Sequence, residues 1–190
     1  MKQLVLLLLL TIIVSCKTEV KDIKIVETES KSLLTDDSLS EELVAEEGAN
    51  SIEFPIYSFK ELEPLLHKQD DKIYVVNFWA TWCAPCVKEL PYFETLNAEY
   101  KSKNVEVLLV SLDFPKQYEK KLKPFIEKHK LASKIVALND TDSNTWIPKV
   151  DKNWSGAIPA TIIYNKDKRR FYEQSFNYEE LQTEVNAFFN

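Results

Sequence analysis

Hydrophobic and polar positions divide this chain into three regimes. Residues 4–14 form an apolar run interrupted only by Thr11, and residues 17–50 are dominated by Lys, Glu, Asp, Ser and Thr without one aromatic side chain. From residue 51 onward apolar blocks recur with regular spacing, the pattern of a chain that builds a core. Within that third regime, stretches rich in β-branched and aromatic residues predict strands at 73–79, 105–112, 135–138, 160–165 and 169–174. The first two are close to continuously apolar, as in central strands covered on both faces. Residues 84–101 instead carry Val87, Leu90, Phe93, Leu96 and Tyr100 at helical spacing, with Pro91 expected to kink the helix. Ser58 followed by Glu61 predicts a capping box and a helix to about residue 68, weakened at Pro64. Asn177 predicts the cap of a last helix whose apolar face is Tyr178, Leu181, Val185, Phe188 and Phe189. The polar run 165–168 reads as a hairpin turn that adds an antiparallel edge strand. Strands alternating with helices predict an α/β fold, a central mixed sheet flanked by helices.

Charge and length narrow the function. The 190 residues carry 24 basic and 30 acidic side chains, a net charge of −6. The lysine clusters lie among acidic or apolar neighbours, so they read as solvated faces and nucleic acid is not an expected partner. Lys2 followed by the apolar run has the form of an export signal, and a run of that length is too short for a membrane-spanning helix, which needs about 20 residues. Removing residues 1–15 takes away only Lys2, leaving 23 basic and 30 acidic residues and a charge of −7. Residues 16–50 cannot bury enough apolar surface to fold and read as a tether, although Leu33, Leu34, Leu39, Leu43 and Val44 leave a short amphipathic helix open. The expected organisation is therefore a signal at 1–15, a tether at 16–50 and one globular domain at 51–190.

The chemistry concentrates in Cys83-Ala84-Pro85-Cys86. An apolar strand enters the pair and a helix leaves it, so Cys83 is expected at a helix N-terminus, where unpaired N–H groups and the helix dipole favour its thiolate. Cys86, one turn on, can attack a mixed disulfide formed at Cys83. Pro85 falls in the first turn, where a missing N–H costs little. Two other uses of the pair have less support. Zinc would need further ligands, and only Cys16, His67 and His129 remain, in no paired spacing; no metal is expected. A purely structural disulfide closing so short a loop would remove little unfolded-chain entropy.

The run Phe78-Trp79-Ala80-Thr81-Trp82-Cys83-Ala84-Pro85-Cys86 resembles the active-site signature of the thioredoxin superfamily. With Val87-Lys88-Glu89-Leu90-Pro91 and Ile158-Pro159-Ala160-Thr161, it is similar to the membrane-tethered, extracytoplasmic branch typified by the TlpA and ResA thiol-disulfide oxidoreductases. The resemblance covers residues 51–190 and implies a thioredoxin-like fold with an extra helix and strand, at about 116–138, before a cis-proline loop at Pro159. It implies that Pro159 packs against the cysteine pair, that Ile158 offers its backbone to an extended substrate, and that Glu89 is a partly buried carboxylate serving Cys86 as proton donor and acceptor. In thioredoxin an aspartate precedes the Phe-Trp-Ala run, but here that position is Asn77, which cannot ionise. Thioredoxin-like chains also often carry a glycine near the last hairpin; none stands here, which leaves that turn's geometry open. Ile13-Val14-Ser15-Cys16 resembles a bacterial lipobox, which implies lipidation at Cys16 and a domain held outside the cytoplasm on the periplasmic side of the cell envelope.

The expected function is an extracytoplasmic reductase of protein disulfides, as in cytochrome c maturation. It would have no cofactor beyond its own Cys83–Cys86 disulfide, would act as a monomer, and would be recharged by a membrane thiol-disulfide electron donor. Trp82 is expected on an exposed substrate-facing lip and Trp79 in the core, whereas Trp146 and Trp154 could either line the groove or pack. His67 and His129 read as surface residues. Three rivals stay open: a dithiol oxidase, a thiol peroxidase, and a lipoprotein that binds peptides with incidental thiols.

Overall fold

The computed structural model describes residues 52–189. The expected export signal, the tether and Cys16 lie outside the described residues. Six strands, β1 (Ile56–Tyr57), β2 (Ile73–Trp79), β3 (Val105–Ser111), β4 (Lys134–Leu138), β5 (Ala160–Tyr164) and β6 (Arg169–Tyr172), form one sheet in the order β1-β4-β3-β2-β5-β6. The first four strands in that order run parallel, and β5 and β6 are antiparallel additions. The helices are α1 (Phe59–Leu62), α2 (Ala84–Tyr100), α3 (Lys123–His129), α4 (Ser143–Val150) and α5 (Tyr178–Asn186).

The near-continuous apolar sequence of β2 is explained by its central place: all seven residues are buried, and alternate ones serve different layers. Ile73, Val75 and Trp79 join the cluster formed with Leu90, Phe93 and Leu96 of α2 and Leu181 and Val185 of α5. Tyr74, Val76 and Phe78 join the opposite cluster with Phe59 and Leu62 of α1 and Trp146 and Val150 of α4. Trp79 is a core residue, as expected, and Trp146 and Trp154 pack: Trp146 stacks on Phe59 and Trp154 lies 4.9 Å from Phe78 between ring centroids. His67 and His129 are exposed, the latter stacked on Phe125.

The predicted elements recur with shifted ends and two additions. Glu61 accepts from the Ser58 N–H at 2.8 Å as the capping box requires, but α1 gives way at Glu63 to a 3-10 turn that carries Pro64 and ends at Leu66. Helix α2 continues through Pro91 as one element. The segment from Pro115 to Leu122 is 3-10 and π-helical before α3 begins, so the extra helix and strand include an irregular approach, and β4 is seated between β1 and β3. Strand β1 and helix α4 were not expected. At the last hairpin, Asn165 Oδ1 accepts from the N–H groups of Asp167 (3.0 Å) and Lys168 (2.8 Å), so a side chain closes the turn without glycine.

Candidate active site

Strand β2 delivers the chain to Cys83, and the residues around it are fixed by backbone contacts. Cys83 is the N-cap of α2, with extended backbone, and its Sγ accepts from the Cys86 N–H at 3.3 Å. That contact places the sulfur at the positive end of a 17-residue helix. Cys83 and Cys86 form a disulfide with Cα atoms 5.3 Å apart. Cys86 is fully buried and Cys83 is 6% exposed, so Cys83 is the sulfur nearer to solvent. Pro85 lies exposed in the first turn of the helix.

The loop before β5 closes over the pair from the other side. The Ile158–Pro159 peptide bond is cis, and Cys83 Sγ lies 3.6 Å from the Ile158 carbonyl oxygen. Beneath the loop, Trp154 donates its indole N–H to the Ala157 carbonyl at 2.8 Å. Glu173, at the end of β6, accepts from the N–H groups of Ser155 (3.2 Å) and Ala157 (3.1 Å). Trp82 is 58% exposed next to Cys83. Cys83, Cys86, Trp82, Ile158 and Pro159 are thus brought together at one end of β2.

Glu89 follows Cys86 by one helical turn and faces the sheet, only 1% exposed. The period-two geometry of the strands puts Asn77 and Thr161 opposite it, because these two are register partners on β2 and β5 and both point to the α2 layer. Asn77 Nδ2 donates to Glu89 Oε1 at 2.9 Å and to Thr161 Oγ1 at 3.1 Å, and the Phe176 N–H donates to Glu89 Oε2 at 2.8 Å. Burial pushes the Glu89 carboxyl up to about 7, against the two donors, which pull it down. Asn77 Oδ1 is buried without a partner. A half-turn of that amide would offer the oxygen to a protonated Glu89, so one side chain can serve both protonation states. A cleft of about 360 Å³, lined by Pro85, Lys88, Glu89, Tyr92, Phe176 and Asn177, opens at this carboxyl. A larger cleft of about 590 Å³ lies where β2 and β3 begin, at the end of the strands away from the thiols, and its lining holds no cysteine, serine or threonine.

A second buried carboxylate escaped sequence reasoning. Asp113, 2% exposed just beyond β3, accepts from the Thr81 N–H (3.0 Å), the Thr81 hydroxyl (2.5 Å) and the Ser111 hydroxyl (2.9 Å). It ties the turn that leads into Cys83 to the neighbouring loop. The signal was the Ser-x-Asp spacing right after a predicted central strand. Among the described residues no group of three or more His, Cys, Asp or Glu converges as a metal site.

A mixed sheet with a Cys-x-x-Cys pair at a helix N-terminus and a cis-proline loop across from it defines a thioredoxin-like protein. The chain belongs to the AhpC/TSA family, whose sequence profile matches residues 49–169. It is 28% identical over 123 residues to the thiol-disulfide oxidoreductase ResA of Halalkalibacterium halodurans, covering 65% of either chain. With the ResA of Geobacillus kaustophilus it shares 34% identity over 120 residues, 63% of this chain and 64% of the relative. The chain spans between a fifth and about two thirds of the length of the curated relatives it matches first. A thiol:disulfide interchange protein of the thioredoxin family from Chlorobium tepidum TLS has the same fold, with a TM-score of 0.52 at 17% identity over 61% of this chain and 79% of that one.

Proposed function

We propose that this protein is an extracytoplasmic thiol-disulfide oxidoreductase that reduces disulfides of exported proteins through Cys83 and Cys86. The observation that carries the reading is the position of Cys83 Sγ, capped by the helix N-terminus and facing the Ile158 carbonyl. In the reduced protein the Cys83 thiolate attacks one sulfur of a substrate disulfide; a Cys83–substrate disulfide forms and the other substrate sulfur leaves as a thiolate. Glu89, as carboxylate, takes the proton of Cys86, whose thiolate then attacks Cys83 Sγ. The substrate's second thiolate departs and takes up a proton, and the Cys83–Cys86 disulfide seen here is the product. A carboxyl held near 7 suits this duty, because it can both take and return a proton at neutral pH. Ile158 supplies backbone hydrogen-bonding groups along which an extended substrate can lie, with Pro159 holding that edge against the pair and Trp82 forming its lip.

Two electrons must return for each turnover, so the reading includes a membrane thiol-disulfide donor, and cytochrome c maturation is a process that would use such a reductase. Lipidation at Cys16 would hold the domain on the periplasmic side of the envelope; the lipobox-like residues 13–16 and the tether composition support that placement. No helix among the described residues is long and apolar enough to cross a membrane. The protein would act as a monomer, with its own disulfide as the only redox group. The test is trapping in cell envelopes: Cys86→Ser should accumulate mixed disulfides with exported proteins that a thiol reductant releases, and Cys83→Ser should accumulate none. Trapping by Cys83→Ser instead, or by neither variant, would contradict the assignment of the attacking sulfur.

A further inference from the structure

Among the described residues four large hydrophobic side chains are exposed, Ile56, Trp82, Phe114 and Phe189, and two of these meet beside the attacking sulfur. Trp82 and Phe114, 58% and 64% exposed, stack with ring centroids 6.4 Å apart and planes 18° from parallel. They come from different loops, one entering α2 and the other leaving β3, so their alignment has to be imposed. Asp113 imposes it by accepting from the N–H and hydroxyl of Thr81, which places the residue before Trp82 and the residue before Phe114 in one clasp. The Leu112 N–H adds a bond to the Trp79 carbonyl at 2.8 Å. Pro115 then confines Phe114 to extended backbone, where it is found at φ −69° and ψ 144°. An exposed ring on a mobile loop would bind little; a ring held open to solvent by a buried carboxylate and a proline is built as a contact surface.

We propose that Phe114, with Trp82, selects substrates that carry an aromatic side chain two residues from the attacked cysteine. The proposal rests on the exchange reading above and names the side-chain class that its substrates present. The geometry follows from that reading: a substrate segment extended along Ile158 with its cysteine directed at Cys83 advances about 3.3 Å per residue. Only the residues two positions away share the cysteine's face, and that face looks onto the protein. Positions one residue away point outward. An aromatic ring at the shared-face position stacks on the platform and covers apolar surface that is otherwise wet.

The test uses the full chain, reduced, with three otherwise identical disulfide-linked peptides: Phe at both positions two residues from the cysteine, Phe at both adjacent positions, and Ser at all four. Hydroxyethyl disulfide serves as a small substrate without side chains. Wild type should reduce the first peptide with kcat/KM about five- to tenfold above the other two. Phe114→Ala should erase that preference while leaving the Ser peptide, hydroxyethyl disulfide, the thermal midpoint and the reduction potential of the pair unchanged, and Phe114→Tyr should keep the preference. Equal rates for all three peptides in wild type would overturn the proposal, as would a Phe114→Ala variant slowed alike on every substrate. Failure of wild type to reduce even hydroxyethyl disulfide would strike the exchange reading instead. The platform is then decided by tryptophan-fluorescence titration with the same peptides carrying Ser for Cys: tighter binding of the first peptide upholds it, and equal binding overturns it.

Discussion

The two faces of the sheet are built for different purposes. On the α1/α4 face the strands contribute Tyr74, Val76, Phe78, Leu108, Val110 and Ile162, packed on Phe59, Leu62, Trp146 and Trp154. The α2/α5 face is equally well buried, yet the strands place Asn77, Ser111 and Thr161 among the residues that point to it, and α2 adds Glu89. Burying an amide, a hydroxyl and a carboxyl costs stability unless each finds a partner, and Asn77 Oδ1 does not. The first face supplies stability through apolar area. The second gives up some of that stability to hold a buried carboxyl, Glu89, one turn from Cys86 on the disulfide-bearing helix.

That contrast is broken most completely at the sulfur. Cys83→Ser should abolish disulfide exchange while leaving the denaturation midpoint of the reduced protein nearly unchanged, checked by insulin reduction and by urea unfolding under reductant. On the stability face, Leu62→Ala should cost about 2–5 kcal/mol in urea unfolding with the exchange rate kept, since Leu62 is fully buried in the core cluster that does not contain the cysteines. Glu89→Gln should reverse that balance, slowing exchange at pH 7 by about 10²-fold. It should also change the pH dependence of stability. Folding raises this carboxyl from 4.5 to about 7, so between those values the native state holds a proton that the unfolded chain has released. Wild-type stability therefore falls as pH rises through that window, and the fall should be missing from Glu89→Gln when unfolding is compared at pH 5 and pH 8. The smallest effect belongs to Asn177, whose Oδ1 caps α5 by accepting from the Glu180 N–H at 3.0 Å: Asn177→Ala should cost about 1 kcal/mol of stability.

How far the sequence revealed this structure depended on whether a residue's partners were close in the chain. Strands β2 and β3 were legible because central burial leaves a near-continuous apolar run, and α2 because its apolar residues recur with helical spacing. Strand β1 is only two residues between Pro55 and Ser58, too short for any period to show. Helix α4 contains Pro148 and offers little apolar repeat beyond Trp146 and Val150, so its existence follows from the tertiary contacts of those two side chains. At the site, the cysteine pair carried its own local signal, and the cis-proline loop was legible through the family resemblance of residues 158–161. The family resemblance pointed to Glu89, but its bonds to Asn77, 12 residues before it, and Phe176, 87 residues after it, depend on how the chain folds back. Asp113 and Phe114 were missed for the same reason, since Thr81 lies 32 residues before its partner Asp113.

The reduction potential of the Cys83–Cys86 pair in the full chain tests the central claim most directly, measured by equilibration against glutathione or dithiothreitol and quantified by thiol trapping. A value near that of thioredoxin, about −270 mV, is what a reductase with this site should give. A value near about −120 mV would mean that the pair gives its disulfide away, and the protein would then be an oxidase of thiols.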